Sequence, residues 1–264
     1  MTKKIAIIGG GNLGTAIAEG LLKSRFCKPS DIYITKRNAT TLQALQSKGV
    51  KVGTDNGDAV SKCSIVILAV KPYQVSEVVN SFKNAITAKH ILVSVVTGIV
   101  ISDIRTAINK KLPVCRAMPN TAIAIRQSMT CLSFDNAASS QISFVTNLFS
   151  ALGKVTVINE NLMDAATVLG ACGTAYAMRY IRANIQGGIE IGFDAKTASL
   201  IAAQTVKGAA ELLLEKGSHP EQEIDKVTTP KGCTIAGLNE MEHQGFSSSL
   251  IKGIATSFNK IVKG

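Results

Sequence analysis

Tryptophan is absent, and aromatic residues make up only 5% of the chain. Binding single-stranded nucleic acid needs exposed rings on which bases stack, so that class is disfavoured. Acidic residues are also few, 18 Asp and Glu against 29 Lys and Arg, for a formal net charge of +11. A duplex binder gathers such an excess into a stripe. Here it is scattered, with Lys3-Lys4, Lys36-Arg37 and Lys110-Lys111 as the adjacent pairs. The charge reads as solubility or as attraction for an anionic small molecule, and no nucleic-acid partner is expected. The six cysteines, Cys27, Cys63, Cys115, Cys131, Cys172 and Cys233, form no CxxC pattern. That removes a redox or zinc motif, predicts no metal site and fits a reducing cytoplasm. Long apolar runs are missing too. The longest, Ile91 to Ile101, is interrupted at Ser94, Thr97 and Gly98 and falls short of the ~20 residues a membrane helix requires. The apolar start Ile5–Ile8 gives way to glycines and then Glu19, so it does not read as a signal peptide, and no membrane partner is expected.

What is present is a chain of 264 residues, 46% hydrophobic, enough for one large domain or two smaller ones. Short β-branched runs at Ile5–Ile8, Ile32–Thr35, Ser64–Val70, Ile91–Val96 and Val114–Met118 alternate with helical patterns. Those patterns are Asn12–Lys23, Ala39–Lys48, Val75–Asn84 and Ser102–Lys110, with a later helix Ala137–Leu152 and a last strand Lys154–Ile158. Such alternation predicts βαβ units and a largely parallel sheet, an α/β Rossmann-type domain over residues 1–159. Residues 160–264 carry no β-rich run and predict an all-α domain. Its helices are expected at Met163–Ile191, Ala195–Lys216 (capped by Asp194, stopped by Gly217 and Pro220), Thr234–Gln244 and Ser247–Val262. The first of these looks apolar around nearly its whole circumference. A helix like that needs covering on several sides, which predicts a partner subunit.

Gly9-Gly10-Gly11-Asn12-Leu13-Gly14 follows the first strand and opens the first helix. This GxGxxG pattern needs Gly9 for a tight turn, Gly11 for close approach of a pyrophosphate and Gly14 for helix–strand packing, with the helix N-terminus facing the phosphates. An NAD site places an acid at the end of the second strand. Here the stretch is Thr35-Lys36-Arg37-Asn38, whose hydroxyl, cations and amide suit a 2′-phosphate, so NADP(H) is expected. The three histidines, His90, His219 and His243, lie outside every motif and read as surface or helix-end residues.

The whole chain resembles the pyrroline-5-carboxylate reductase family. The resemblance rests on GGGNLG, Asn56 in TDNGDAV, Ala69-Val70-Lys71-Pro72, Met118-Pro119-Asn120-Thr121, Glu160 with Asp164 and Thr167, and Gly173-Thr174-Ala175-Tyr176. Its most specific piece is Val227-Thr228-Thr229-Pro230-Lys231-Gly232-Cys233-Thr234, followed by Gly245-Phe246. The resemblance implies NADPH-dependent reduction of the cyclic imine of pyrroline-5-carboxylate to L-proline, the last step of proline synthesis. It also implies a Rossmann domain followed by a helical dimerisation domain, with room for dimers to assemble further. By the same resemblance Gly9, Gly11, Asn12 and Leu13 would cradle the pyrophosphate. Thr35, Lys36 and Arg37 would meet the 2′-phosphate, and Asn56 the adenosine side. Ala69, Val70, Lys71 and Pro72 would line the nicotinamide half together with Val95, Val96 and Thr97. Gly232, Cys233 and Thr234 would bind the substrate carboxylate, Thr234 near the imine nitrogen as the catalytic residue, with Glu160 and Lys226 close by.

The chain departs from the family pattern at Ala171, Cys172 and Thr174, at Ala122, in Val96-Thr97-Gly98, and at Lys231 and Cys233. Two other readings stay open. A β-hydroxyacid dehydrogenase would carry a catalytic lysine on the long helix, where Gly173 to Asn184 offers only Arg179 and Arg182. Arginine stays protonated and serves poorly as an acid–base catalyst. A cofactor-binding relative without this activity is the other.

Overall fold

The computed structural model describes residues 3–263. Eight strands form one sheet in the order β3-β2-β1-β4-β5-β6-β7-β8. They are β1 (Ile5–Ile8), β2 (Ile32–Thr35), β3 (Lys51–Gly53), β4 (Ile65–Leu68), β5 (Ile91–Ser94), β6 (Val114–Met118), β7 (Ser128–Asp135) and β8 (Gly153–Val157). Every neighbouring pair is parallel except β6 with β7. The helices of this half are α1 (Asn12–Ser24), α2 (Gln43–Gln46), α3 (Asn56–Ser61), α4 (Val75–Phe82), α5 (Ile101–Ile108), α6 (Ser139–Ser150) and α7 (Met163–Ala166).

The all-apolar runs form the centre because both faces are covered. Ile5 and Ile7 point into one layer, with Ile17 and Leu21 of α1 and Phe149 of α6. Ala6 and Ile8 point into the opposite layer, with Val79 and Phe82 of α4 and Ile104 of α5. This is the two-residue side-chain period of a strand buried on both sides. Each fully buried Ile or Phe contributes ~1.5–3 kcal/mol of burial free energy, so the alternation sets the register firmly.

In this half, three elements were not expected from the sequence. β3 and α3 are short, and β7 (SMTCLSFD) is mixed in polarity, although its burial alternates along most of its length. The expected helix Ala39–Lys48 is a 3₁₀ turn, Ala39–Leu42, followed by the four residues of α2.

The chain divides into two compact units between Cys172 and Gly173. The boundary expected at 159/160 lies earlier because residues 160–172 pack on the sheet. Arg116 bonds Asp164 at 3.0 Å, and Asn120 Nδ2 donates to the Gly170 carbonyl at 3.0 Å. The single helix expected over Met163–Ile191 does run on from Met163 to Glu190, but not as one regular α-helix. A π-helical turn, Thr167–Cys172, separates α7 from α8 (Gly173–Glu190).

The second unit continues with α9 (Ala195–Lys216), α10 (Pro220–Lys226), α11 (Cys233–His243) and α12 (Phe246–Val262). Asp194 caps α9 by accepting from the Lys196 and Thr197 amides, and Gly217 ends it in the left-handed conformation. Pro220 was expected only to block α9. It also starts α10, where a missing N–H costs nothing, and His219 caps that helix by accepting from the Glu221 amide. Residues of α8, α11 and α12 are not buried within the chain, and Met178, Leu200, Leu214, Ile251 and Val262 are exposed. The face of α8 is less uniformly apolar than expected, since Arg179, Arg182, Gln186 and Glu190 interrupt it. Among the described residues, no helix is long and apolar enough to cross a membrane.

Candidate functional site

Parallel strands carry their C-terminal ends to one edge of the sheet. The order runs outward from β1 to β3 on one side and from β1 to β4 and β5 on the other. A crevice opens where the two directions part, and ligands of open α/β sheets bind there. The loops after β1 and β4 flank it.

The glycines after β1 have separate jobs. Gly9 has φ +111°, and a Cβ there would lie 2.4 Å from the Ala69 carbonyl oxygen. Its amide and that of Gly10 donate to the Thr35 carbonyl at 3.1 and 2.7 Å. A Cβ on Gly14 would lie 2.1 Å from the Gly9 oxygen. A Cβ on Gly11 would meet nothing within 4 Å. Gly9 and Gly14 are thus required by the protein's own packing, whereas Gly11 borders open space. Gly11 is also the N-cap of α1 and supplies no side-chain oxygen, so the helix presents its first-turn N–H groups outward. Gly11, Asn12, Thr15, Lys36 and Thr41 line an open cleft of about 410 Å³. An uncapped helix N-terminus, a glycine with free space over it and a nearby cation fit a phosphate-bearing dinucleotide.

Thr35 sits differently from the expectation. It is 1% exposed, and its hydroxyl donates to Asn56 Oδ1 at 2.6 Å. Asn56 Nδ2 in turn donates to Ser81 at 2.9 Å. Burial and this bond commit the Thr35 hydroxyl to holding the β2 and α3 ends together, so it does not face a phosphate. Arg37 and Asn38 are exposed at this strand end, with Lys36 half-buried beside them. Ala69 and Val70 are half-buried, and Lys71 and Pro72 exposed. The side chains of Val95 and Val96 are buried, so only their backbone and the exposed Thr97 face the edge.

Glu160 lies in the first unit. Its carboxylate accepts from the Ile101 amide at 2.7 Å and stands 3.6 Å from Arg116. His90 is buried, not at the surface as expected. Its Nδ1 accepts from the Thr87 amide at 3.0 Å, and its Nε2 lies 3.2 Å from the Val60 carbonyl. It ties the turn before β5 to α3. His219 and His243 are at helix ends. Burial pushes the thiols of Cys27 and Cys63 up to about 11, and that of Cys131 upward. Thiols held that far from ionisation are poor nucleophiles.

In the second unit, Pro230 to Thr234 form the turn into α11. Gly232 is the N-cap, provides no side-chain acceptor, and donates its amide to the Thr229 carbonyl at 2.9 Å. Thr234 is the second residue of the helix and half-buried. Helix capping therefore falls to a position other than Thr234. Lys231 takes the left-handed conformation, φ +57°, which costs a side-chain-bearing residue ~1 kcal/mol or more. Lys226 bonds Glu223 at 2.6 Å, and Glu223 also accepts from Ser218 at 2.7 Å and Lys216 at 3.3 Å. These partners, Lys226 first and then Ser218, pull the Glu223 carboxyl down to about 2. Glu223 was not anticipated: Lys226 stands three residues on in the same helix, but Lys216 and Ser218 come from before the turn. In the GTAY stretch, Tyr176 reaches Ser257 at 2.6 Å and joins α8 to α12.

Comparison with known proteins gives two matches along the chain. Residues 4–98 match a family model described as NADP oxidoreductase, coenzyme F420-dependent, and residues 160–263 match pyrroline-5-carboxylate reductase dimerisation. The chain is 51% identical, over 97% of its length, to pyrroline-5-carboxylate reductase 1 of Dictyostelium discoideum, and it spans about half, 49%, of that longer relative. To pyrroline-5-carboxylate reductase 2 of the same organism it is 44% identical, covering 99% of this chain and 93% of the relative. A solved pyrroline-5-carboxylate reductase from Coxiella burnetii superposes with a TM-score of 0.91 at 28% identity, covering 100% of this chain and 98% of that one.

Proposed function

The chain belongs to the pyrroline-5-carboxylate reductase family, and from that premise we propose that it reduces 1-pyrroline-5-carboxylate to L-proline with NADPH. The observation that carries the cofactor half is the uncapped start of α1 beside open space at Gly11, with Lys36 on the same cleft. NADPH, when bound, supplies the hydride that turns the C=N bond into C–N–H. The protein's task is to bind, orient and neutralise.

In this reading the amides of Gly11, Asn12 and Leu13 receive the pyrophosphate, with Gly9 shaping the turn. Lys36 and Arg37 meet the 2′-phosphate. Thr35 and Asn56 hold that strand end in place. Ala69 to Pro72, the backbone of Val95 and Val96, and Thr97 border the nicotinamide half. The Cys233 and Thr234 amides at the start of α11, next to Gly232, receive the substrate carboxylate, since an uncapped helix N-terminus favours an anion. The Thr234 hydroxyl, with no hydrogen-bond partner among the described residues, is free to bond the imine nitrogen. Lys226, already paired with Glu223, keeps positive charge near that turn. By family we assign 1–159 to the cofactor domain and 160–264 to the substrate-binding and dimerisation domain, although 160–172 pack with the first compact unit. The match to the family's dimerisation model beginning at residue 160 supports that division. Buried thiols at Cys27, Cys63 and Cys115 support a reducing, cytoplasmic setting.

Oxidation of NADPH, followed by absorbance with pyrroline-5-carboxylate and a panel of other cyclic imines and hydroxyacids, tests the reading. Turnover with the pyrroline and NADPH in preference to NADH is expected. Each charge-assisted bond to the 2′-phosphate is worth ~1.5–3 kcal/mol. Arg37→Asp should therefore weaken NADPH binding about tenfold or more while sparing NADH. Equal affinity for both cofactors in the wild type would contradict the basic-loop argument, and activity confined to a hydroxyacid would contradict the substrate.

The exposed apolar side chains of the helical unit support a homodimer built through it, with dimers free to assemble further. Interfaces of that kind bury over ~2,000 Å² and resemble a divided core. Sedimentation at micromolar concentration should find a dimer or a multiple of one. A folded monomer under those conditions would overturn the proposal.

A further inference from the structure

Arg116, on β6, is the largest fully buried side chain, 1% exposed. A guanidinium withdrawn from water is costly unless carboxylates surround it. Its Nη2 bonds Asp164 at 3.0 Å and its Nη1 stands 3.6 Å from Glu160, while its Nε has no partner among the described residues. An apolar residue could fill that position more cheaply, so the group calls for a role beyond packing.

The role follows from the second bond of Glu160. The same Oε1 that faces Arg116 accepts from the Ile101 amide at 2.7 Å. Ile101 begins α5, and the N-cap residue, Val100, offers no side-chain oxygen. Glu160 therefore caps α5 from a distant part of the chain. Immediately before α5 lies the segment 95–100, which turns at Gly98 with φ +74°. It leaves the C-terminal end of β5, at the edge where the cofactor is placed. We propose that Glu160 and Arg116 are positioning residues for the cofactor. Arg116 fixes the Glu160 carboxylate, the carboxylate fixes the start of α5, and that start sets the backbone of 95–100 against the nicotinamide half. The inference rests on the proposed use of NADPH and gives Glu160 a place different from direct contact with the imine.

Two variants of Glu160 separate the possibilities. Glu160→Gln keeps an oxygen that accepts the Ile101 N–H, whereas Glu160→Ala removes it. Hydrogen exchange of the 97–104 backbone and NADPH titration by fluorescence are measured on the intact protein, well below its unfolding temperature. Glu160→Ala should speed exchange and raise the NADPH Kd, each about five- to tenfold, as loss of a helix cap would, while Glu160→Gln stays within about twofold of wild type. Arg116→Lys, which keeps the charge and cannot reach both carboxylates as a fork, should give an intermediate Kd. An unchanged NADPH Kd in Glu160→Ala with a raised KM for the imine in both Glu160 variants would overturn the proposal in favour of substrate contact. A lowered Tm with unchanged exchange and Kd would overturn it in favour of a purely structural pair. Absence of NADPH binding in the wild type would instead overturn the cofactor reading, while exchange at Ile101 would still report whether Glu160 caps α5.

Discussion

Thr234→Ala is expected to lower turnover of pyrroline-5-carboxylate by roughly 10- to 1000-fold, the scale seen when a positioned donor at a reacting centre is removed. The NADPH Kd should stay within about twofold of wild type, because the glycine loop belongs to a different unit. A capping role would predict the reverse, a stability loss of ~1 kcal/mol with normal turnover of the folded protein. The geometry already separates these roles. The N-cap of α11 is Gly232, two residues earlier, and it accepts no bond through a side chain. A hydroxyl both donates and accepts, which suits an imine nitrogen on its way to an amine. Thermal unfolding of the variant, with kcat and KM measured separately, checks the claim. Wild-type turnover in a folded Thr234→Ala protein would remove Thr234 from the reaction.

The parts of this molecule that were legible in the sequence are those governed by local rules. The apolar runs of β1, β4 and β5 needed no context, because strands covered on both faces are apolar at every position. Asp194 and Gly217 marked the ends of α9 by capping chemistry that acts within a few residues. The hidden parts depend on distant partners. Thr35 looked like a phosphate ligand by its place at a strand end. Its burial and its bond to Asn56, which lies in α3, were not visible from the strand alone. The π-helical turn after α7 was equally hidden, since Thr167–Cys172 shows no proline and reads as regular α-helix. What holds 160–172 on the sheet is Arg116, 48 positions before Asp164. Pro220 was read only in part, for a different reason. A proline that ends one helix can also start the next, and only the cap at His219 decides between the two. Lys231, one of the departures from the family pattern, takes the left-handed conformation that glycine would favour.

The three motif glycines should respond to alanine in opposite ways, and the contrast is the strongest test of the cofactor site. At Gly14 an added methyl would stand 2.1 Å from the Gly9 carbonyl oxygen, and at Gly9 it would stand 2.4 Å from that of Ala69. Both obstacles are backbone, so neither can swing aside as a side-chain tip would. Overpacking of a closely fitted core costs ~1–3 kcal/mol or more, so both variants should unfold at a clearly lower temperature. Gly9 also needs φ +111°, a backbone region that alanine rarely occupies, which adds to its loss. At Gly11 the backbone is already extended, φ −78° and ψ −167°, and the space above it is open. Gly11→Ala should therefore fold, losing no more than the ~1 kcal/mol by which glycine surpasses alanine at an N-cap. Its methyl would project into the space that a pyrophosphate must enter to reach the free N–H groups of α1. NADPH affinity should fall about 100-fold or more, equivalent to ~2.7 kcal/mol. Fluorescence titration of NADPH beside thermal unfolding gives both readings on each variant. A Gly11→Ala protein that binds NADPH as tightly as wild type would place the pyrophosphate somewhere other than the start of α1. A Gly14→Ala protein with an unchanged Tm would mean that α1 can move away from β1 at no cost, contrary to the close contact between Gly14 and Gly9.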